Sequence, residues 1–191
     1  AYLVVVGDVN FDQVKEAVTK NFSNWTKGLA PSTTLPKAKN VQYTQVNFVD
    51  MPNAVQSEMA VVHTVDFKMN DEDYHAVLIA NKILGGGFNS MLNLNLREKH
   101  GWTYGARSSL NARRDAEAVF VASSSVRNMV TDSAVVQTLL EINNIRNINV
   151  TEDQLKNVKA KYLGDFVLAM ENSIKLWLLF GILAVCYYYL I

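Results

Sequence analysis

The sequence has few of the residues from which metal sites and disulfide frameworks are built. Cys186 is the only cysteine among 191 residues, so it cannot form an internal disulfide and zinc sites built from cysteines are excluded. Its three histidines are His63, His75 and His100. None lies four residues from another, the spacing of His-Glu-x-x-His and of the inverted His-x-x-Glu-His. The sequence therefore predicts no metal site in this chain.

An excess of charge of one sign is also missing. The 18 Lys and Arg residues equal the 18 Asp and Glu residues, so no net field attracts phosphates or an anionic membrane surface. We expect neither a nucleic acid nor a membrane as a partner. No basic segment precedes the apolar run Tyr2 to Val6, so the opening residues are interpreted as a cut inside a longer protein and not as a signal peptide.

Long hydrophobic runs are absent except at the end of the sequence. Leu176 to Ile191 contains sixteen residues without a charge, short of the about 20 apolar residues that span a membrane. This segment is a truncated span, a buried helix, or the product of a chain end or frame change, and the non-membrane interpretations are favoured. We predict one domain over residues 1–172, followed by an atypical apolar tail over residues 173–191.

Two common catalytic motifs are missing. The glycine loop Gly85 to Ser90 lacks the Gly-Lys-Ser/Thr ending of a phosphate-binding loop and follows a predicted helix, where that motif requires a strand. No serine lies in a Gly-x-Ser-x-Gly context. The loop is either a flexible turn between helices or a surface that faces a ligand, since triple glycine permits close backbone approach.

Hydrophobic periodicity predicts both strands and helices. Runs of β-branched and aromatic residues alternate with amphipathic segments that begin at capping residues such as Asn10, Asn70 and Thr151. The predicted order is β-α-β-β-α-α-β-β-α-α, with strands over 2–6, 41–49, 55–65, 103–111 and 118–125 and helices over 11–22, 71–84, 91–100, 131–146 and from 151. Strands that arrive in hairpins, with helix pairs between them, indicate an α+β domain whose antiparallel sheet has helices packed on one face.

Residues Gly85 to Ser108 read Gly-Gly-Gly-Phe-Asn-Ser-Met-Leu-Asn-Leu-Asn-Leu-Arg-Glu-Lys-His-Gly-Trp-Thr-Tyr-Gly-Ala-Arg-Ser. This string closely resembles the insulinase, pitrilysin and mitochondrial processing peptidase family of inverzincin zinc peptidases. Gly-Gly, Leu-Arg-Glu-Lys and Gly-x-x-Tyr at fixed spacing carry the likeness, which extends from the run Val4 to Val9 through Gly164-Asp165-Phe166. The chain resembles the C-terminal type of domain, which lacks the zinc motif.

The resemblance implies a clamshell of homologous domains in which a companion domain holds zinc. Family domains of the zinc-free type contribute an Arg and a Tyr seven positions apart, matched here by Arg97 and Tyr104, which reach toward the peptide. A phenol O–H can donate to a developing oxyanion, and a guanidinium can hold peptide carbonyls in register. The expected substrate-binding loop consists of Gly85, Gly86, Gly87, Phe88, Asn89 and Ser90.

We therefore expect the substrate-binding, zinc-free half of a zinc metalloendopeptidase, inactive by itself, that helps to hydrolyse peptides or unfolded segments. Its zinc-bearing companion lies on the same polypeptide or in a homo- or hetero-oligomer. A catalytically inactive structural or assembly subunit is the alternative, in which Arg97 pairs with Glu98 and Tyr104 is an ordinary strand aromatic. A free-standing peptide-binding module ranks third, because a lone domain would expose the apolar inner wall of the chamber to water. The bacterial periplasm or cytoplasm is favoured over the mitochondrial matrix.

Overall fold

The computed structural model describes residues 3, 5, 7–26, 28–29, 39–112 and 116–171. The chain divides into two compact units, one made of Ala1–Thr33 with Ala160–Ile191 and the other of Thr34–Lys159. The elements are α1 (Phe11–Phe22), β1 (Gln56–Val65), α2 (Tyr74–Leu84), α3 (Met91–Asn93) continuing as a π-helix (Leu94–Lys99), β2 (Ala106–Asn111), β3 (Ala118–Arg127), a 3₁₀ turn (Asn128–Val130), α4 (Thr131–Asn147) and α5 (Glu152–Met170).

The first unit contains α1, which begins at the predicted cap. The Asn10 side chain accepts hydrogen bonds from the backbone N–H groups of Asp12 (2.9 Å) and Gln13 (3.4 Å), two groups that have no partner within the helix. The predicted strand over 2–6 and the apolar tail from 173 fall largely or wholly outside the described residues, and the boundary at 172 stays a prediction. Within the described residues, no helix is both long and apolar enough to cross a membrane.

The second unit is built on a three-stranded antiparallel sheet in the order β1-β3-β2. Alternate residues of β3 are buried, namely Ala118, Ala122, Ser124 and Val126, while Val119, Ser123 and Arg127 are exposed. The buried face meets α2, α3 and α4 around a core of Met59, Leu84, Leu92, Leu96, Ala106, Ala122, Val126 and Ala134. This pattern confirms the predicted α+β class, with an antiparallel sheet and helices on one face.

The segment 41–49, predicted as a strand, forms no strand in the structure. The side chain of Asn40 binds the outer edge of β1 instead, donating to the Thr64 carbonyl (2.8 Å) and accepting from the Thr64 N–H (3.1 Å). Every side chain from 41 to 49 is exposed, so burial does not select a pairing register there. The turn of the predicted hairpin does form, since Ala54 N donates to Met51 O at 3.1 Å and Asn53 has φ 65°.

Two predicted element starts, those of α2 and β2, also move. Helix α2 begins at Tyr74 because the Asp71 carboxylate accepts the Lys68 N–H (2.8 Å) in a preceding turn, which replaces the predicted cap at Asn70. Only its last two residues, Ile83 and Leu84, are buried, although most residues of this helix are apolar and favour burial. The helix after the glycine loop is largely a π-helix and ends before Gly101, whose φ of 61° favours glycine. Strand β2 begins at Ala106 and not at 103.

The final two helices follow the sequence closely. Helix α4 spans Thr131–Asn147 and α5 spans Glu152–Met170. The predicted capping box is present before α5, where the Gln154 side chain accepts from Thr151 N (3.1 Å) and the Thr151 hydroxyl accepts from Gln154 N (3.2 Å). Short-range hydrogen bonds of this kind depend on a few neighbouring residues, which is why their spacing predicts them.

Candidate functional site

The glycine loop joins α2 to α3 and packs closely against β2. The Ser108 N–H donates to the Gly85 carbonyl at 3.0 Å, and a Cβ on Gly85 would lie 2.3 Å from Ser108 N. A Cβ on Gly86 would lie 2.7 Å from Lys82 Cα. The first two glycines are therefore required by close backbone approach within the domain. Gly85 and Ser90 are buried, whereas Phe88 and Asn89 are exposed.

Asn81 fastens β2 to the end of α2. Its side chain accepts from the Ser108 hydroxyl at 2.8 Å and donates to the Ser108 carbonyl at 3.3 Å. Together with the bond from Ser108 N to Gly85, these contacts occupy backbone groups on the outer edge of β2. An edge strand with occupied backbone groups is a poor template for another strand. We missed Asn81 in the sequence because it lies within an apolar helical run.

Arg97 lies in the π-helix beside the glycine loop. Its guanidinium carbon is 4.3 Å from the centroid of the Phe88 ring, a cation–π geometry, and its Nη1 is 3.2 Å from Glu98 Oε1. The side chain is 33% exposed. The contact between Arg97 and Glu98 is an ion pair without hydrogen-bond geometry, because Nη1 has no hydrogen-bond partner. A partly exposed pair of this kind contributes at most about 1 kcal/mol.

Tyr104 is 93% exposed at the tip of a short turn that precedes β2. The Thr103 hydroxyl donates to the Gly105 carbonyl and accepts from the Gly105 N–H, both at 3.0 Å, so it closes the backbone around Tyr104. The Ser124 hydroxyl then reaches Thr103 Oγ1 at 2.9 Å and Gly105 O at 3.1 Å. Tyr104 is thus an exposed phenol on a hydrogen-bonded turn and not a residue within a strand.

Asn93 joins the glycine loop to the turn that carries Tyr104. Its amide Nδ2 donates to the Phe88 carbonyl at 2.7 Å, and its Oδ1 accepts from the Ala106 N–H at 3.2 Å. The same loop residue, Phe88, places its ring against Arg97. The structure therefore links Arg97 and Tyr104 through one buried amide. The role of Asn93 could not be predicted from the sequence, because the sequence does not distinguish a buried asparagine from an exposed one.

Buried polar atoms that form no hydrogen bond within the protein concentrate in the same segment. Among the described residues they are Ser90 Oγ, Asn95 Oδ1, Arg97 Nη1 and His100 Nε2, which all fall between residues 90 and 100. The π-helix spans part of this segment, and π-helical turns are frequent at functional sites. Buried polar groups are otherwise nearly always paired. The segment 90–100 is therefore the part of the described chain most poorly satisfied by the domain itself.

A small groove of about 260 Å³ lies beside the π-helix, lined by Met91, Leu94, Asn95, Lys99 and Glu141. Hydrogen bonds fix one side of this groove, since Asn95 Nδ2 donates to Gln137 Oε1 at 3.0 Å and to Glu141 Oε1 at 2.5 Å. These bonds use both amide hydrogens and fix the orientation of the Asn95 side chain. The groove is smaller than the 300–1,000 Å³ that is usual for ligand pockets.

A zinc site does not fit the described residues. In 7–26, 28–29, 39–112 and 116–171, together with residues 3 and 5, no three His, Cys, Asp or Glu side chains come together as a metal site requires. His63 is exposed on β1 and His100 stacks on Trp102, with ring centroids 4.1 Å apart. A catalytic zinc needs three protein ligands with an open fourth position. No chemical step can therefore be assigned to a metal held by this part of the chain.

The model of the peptidase M16 inactive domain matches residues 1–162 of this chain. The chain belongs to this family. The match covers the sheet, the glycine loop, the π-helix and the first part of α5, so the resemblance seen in residues 85–108 is confirmed and extends over residues 1–162. The name describes the M16 domain type as inactive, which agrees with a non-catalytic half or subunit.

Relatives of this M16 domain include proteins described both as inactive and as proteases. "Probable inactive metalloprotease YmfF" from Bacillus subtilis is 30% identical over 110 residues, covering 58% of this chain and 25% of that protein. The solved peptidase M16 inactive domain from Pseudomonas fluorescens is 26% identical with a TM-score of 0.55, covering 58% of this chain and 27% of that one. A protease from Helicobacter pylori has a TM-score of 0.76 at 22% identity, covering 89% and 41%. The chain thus spans a quarter to two fifths of these relatives, and the Helicobacter structure supports the fold alone.

Proposed function

We propose that this chain is the substrate-facing, zinc-free half of a peptidase whose companion domain supplies zinc. The observation that supports it most directly is the link between Arg97 and Tyr104 through Asn93. Arg97 lies in the π-helix and stacks on Phe88 of the glycine loop, and Asn93 binds both that loop and Ala106, next to the turn that carries Tyr104. Family membership supports the companion, because the chain covers only part of the relatives it matches. The proposed partner is a homologous zinc-bearing domain on the same polypeptide or in another subunit.

Tyr104 is proposed to donate its phenol O–H to the oxygen on which negative charge develops during peptide hydrolysis. Such a donor must be accessible and must be held in place before the reaction, because a rigid donor spends little energy on reorganisation. The exposed side chain of Tyr104 meets the first requirement, and the hydrogen bonds between its neighbours Thr103 and Gly105 hold the backbone that carries it. The donated hydrogen bond strengthens as the oxygen becomes an anion, so it lowers the barrier more than it tightens substrate binding.

Arg97 is proposed to hold the peptide backbone. A guanidinium presents five donors in a planar fork, and in Arg97 one face is covered by Phe88 while the side chain as a whole stays 33% exposed. Phe88 and Asn89 are the exposed side chains of the glycine loop and are proposed to contact the same peptide. Gly85 and Ser90 are buried, so their proposed contribution is to support the loop from beneath.

The test of the proposed function is Tyr104→Phe in the complete assembly with its companion domain. We expect kcat/KM for an internally quenched peptide to fall on the order of a hundredfold, because one oxyanion donor is removed. The melting temperature should not change, since the exposed hydroxyl makes no contact that the fold needs. Tyr43→Phe, at another exposed tyrosine, is the matched control and should keep full activity. Wild-type turnover in Tyr104→Phe would overturn the role assigned to Tyr104.

An inactive structural or assembly subunit is the second candidate, favoured by the word inactive in the family description and in the name of the Bacillus relative. The pairing of Arg97 with Glu98 also agrees with it. The sequence of the companion domain or subunit distinguishes the two candidate functions. A His-x-x-Glu-His sequence in the parent polypeptide or in a co-purifying subunit supports the peptidase, whereas the absence of that sequence from both supports the structural subunit.

A further inference from the structure

We propose that Asn93 is a positioning residue that sets the geometry of both Arg97 and Tyr104. This inference rests on the proposed function for its catalytic meaning, but the positioning itself is a structural property. Asn93 is 4% exposed, so it cannot contact a peptide. Its influence must pass through the two backbone groups that it binds, one in the glycine loop and one at the start of β2.

The first of these bonds controls Arg97. The Phe88 side chain is 62% exposed, so we expect the position of its ring to depend mainly on its backbone. The bond of 2.7 Å from Asn93 Nδ2 to the Phe88 carbonyl fixes that backbone. The Phe88 ring then lies 4.3 Å from the Arg97 guanidinium carbon. Loss of the Asn93 donor should therefore let the Phe88 ring move, and the Arg97 guanidinium that stacks on this ring would no longer be held in one orientation.

The second bond controls Tyr104. Asn93 Oδ1 accepts the Ala106 N–H at 3.2 Å, only two residues after Tyr104. On the other side, Thr103 is held by the Ser124 hydroxyl at 2.9 Å. The Tyr104 turn is thus fixed at both ends. Gly105 lies between these anchors, and a Cβ there would meet Asn93 Oδ1 at 3.8 Å, so the turn rests directly on the amide.

An amide is suited to this position because it presents a donor and an acceptor from one rigid plane. Asn93→Asp keeps the acceptor for Ala106 but removes the donor to Phe88, and it places a carboxylate against the Phe88 carbonyl. Asn93→Leu removes both groups at similar volume. The two variants therefore separate the bond that serves Arg97 from the bond that serves Tyr104.

The experiment measures hydrogen exchange by mass spectrometry on peptides that cover residues 86–90 and 103–108 of the intact protein. Asn93→Asp should accelerate exchange at 86–90 by about ten- to a hundredfold and leave 103–108 near wild type, as expected for a lost hydrogen bond. Asn93→Leu should accelerate both segments. The acceleration in Asn93→Asp should shrink as the pH falls, because the protonated carboxyl regains an O–H donor.

The matched control is Asn81→Leu, which removes a partly buried amide that serves Ser108 and not Phe88. Its exchange rates show how much the two segments accelerate when a nearby amide other than Asn93 is removed. Equal acceleration of both segments in Asn93→Asp, or the pattern of Asn93→Asp repeated in Asn81→Leu, would refute a specific positioning role. If Asn93→Leu fails to fold, the segment selectivity and the pH recovery of Asn93→Asp decide alone.

Kinetics then connect positioning with activity. In the complete assembly Asn93→Asp should raise KM more than it lowers kcat, because it affects Arg97, whereas Asn93→Leu should lower kcat as well. If Tyr104→Phe turns over peptide normally, the proposed function fails. The exchange pattern still decides whether Asn93 positions these loops, so the two failures are distinguishable.

Discussion

The contact between Gly85 and Ser108 makes a quantitative prediction for Gly85→Ala. The added Cβ would lie 2.3 Å from Ser108 N, 2.5 Å from Ser108 Oγ and 2.8 Å from Ser108 Cβ, and contacts under 3.0 Å to backbone cannot be relieved by a side-chain rotation. The loop and β2 must separate. The φ of Gly85 is −156°, outside the left-handed region that favours glycine, so the cost estimated below is that of the contact with Ser108.

The magnitude follows from the bonds that this separation breaks. The Ser108 N–H to Gly85 bond and the two Asn81–Ser108 bonds lie within the contact, and each contributes on the order of 1 kcal/mol. With strain from overpacking of about 1–3 kcal/mol, we expect Gly85→Ala to lower the free energy of unfolding by roughly 4–6 kcal/mol. For a chain of this size, about 2–4 °C per kcal/mol gives a melting temperature lower by roughly 10–20 °C.

The assay is urea denaturation followed by circular dichroism and fluorescence, with Gly164→Ala as the matched control. Gly164 lies in α5 and a Cβ there meets nothing within 4 Å, so alanine should leave stability unchanged or raise it by up to about 1 kcal/mol. If Gly85→Ala unfolds at the same urea concentration as Gly164→Ala, the close approach is not a structural requirement. The glycine would then have to be explained by contacts with a ligand.

Two further predictions concern the core and the metal. Leu96→Ala should cost about 2–5 kcal/mol because Leu96 is 1% exposed, whereas Leu94→Ala, two residues away and 45% exposed, should cost under about 1 kcal/mol, as measured by urea denaturation. Metal analysis of this chain purified alone should find less than one zinc per molecule, while a chelator should abolish turnover by the complete assembly without lowering the melting temperature of this chain. Stoichiometric zinc in the isolated chain would contradict the separation of the metal from this domain.

The sequence predicted most of the fold because its signals are local. The caps at Asn10 and at Thr151 with Gln154, for example, are hydrogen bonds between residues two or three positions apart. The segment 41–49 was predicted wrongly because β-forming composition does not reveal whether a strand has a buried face. Its side chains are all exposed, and Asn40 occupies the β1 groups at Thr64 that a paired strand would use.

The candidate site was predictable in part. The spacing of Arg97 and Tyr104 could be read from the sequence, but their supports could not. Asn93 and Ser124 are 31 positions apart and come to the same turn only when the sheet has formed. The π-helix is a further obstacle, since its wider turn changes which side chains share a face, and a pattern of 3.6 residues per turn misplaces them.

Residues 90–105, which carry much of the family motif, depart most from the usual preferences for paired polar atoms, α-helical turns and buried aromatic side chains. That segment contains the buried polar atoms that form no hydrogen bond, the π-helix and an almost fully exposed tyrosine, each of which lowers stability or adds none. The core beneath it is conventional, since Leu92 and Leu96 are both buried at 1% exposure. Natural sequences depart from consistent local structure chiefly at functional sites, where an interaction outside the domain offsets the cost. The peptide or companion domain that we propose for this surface would supply that interaction.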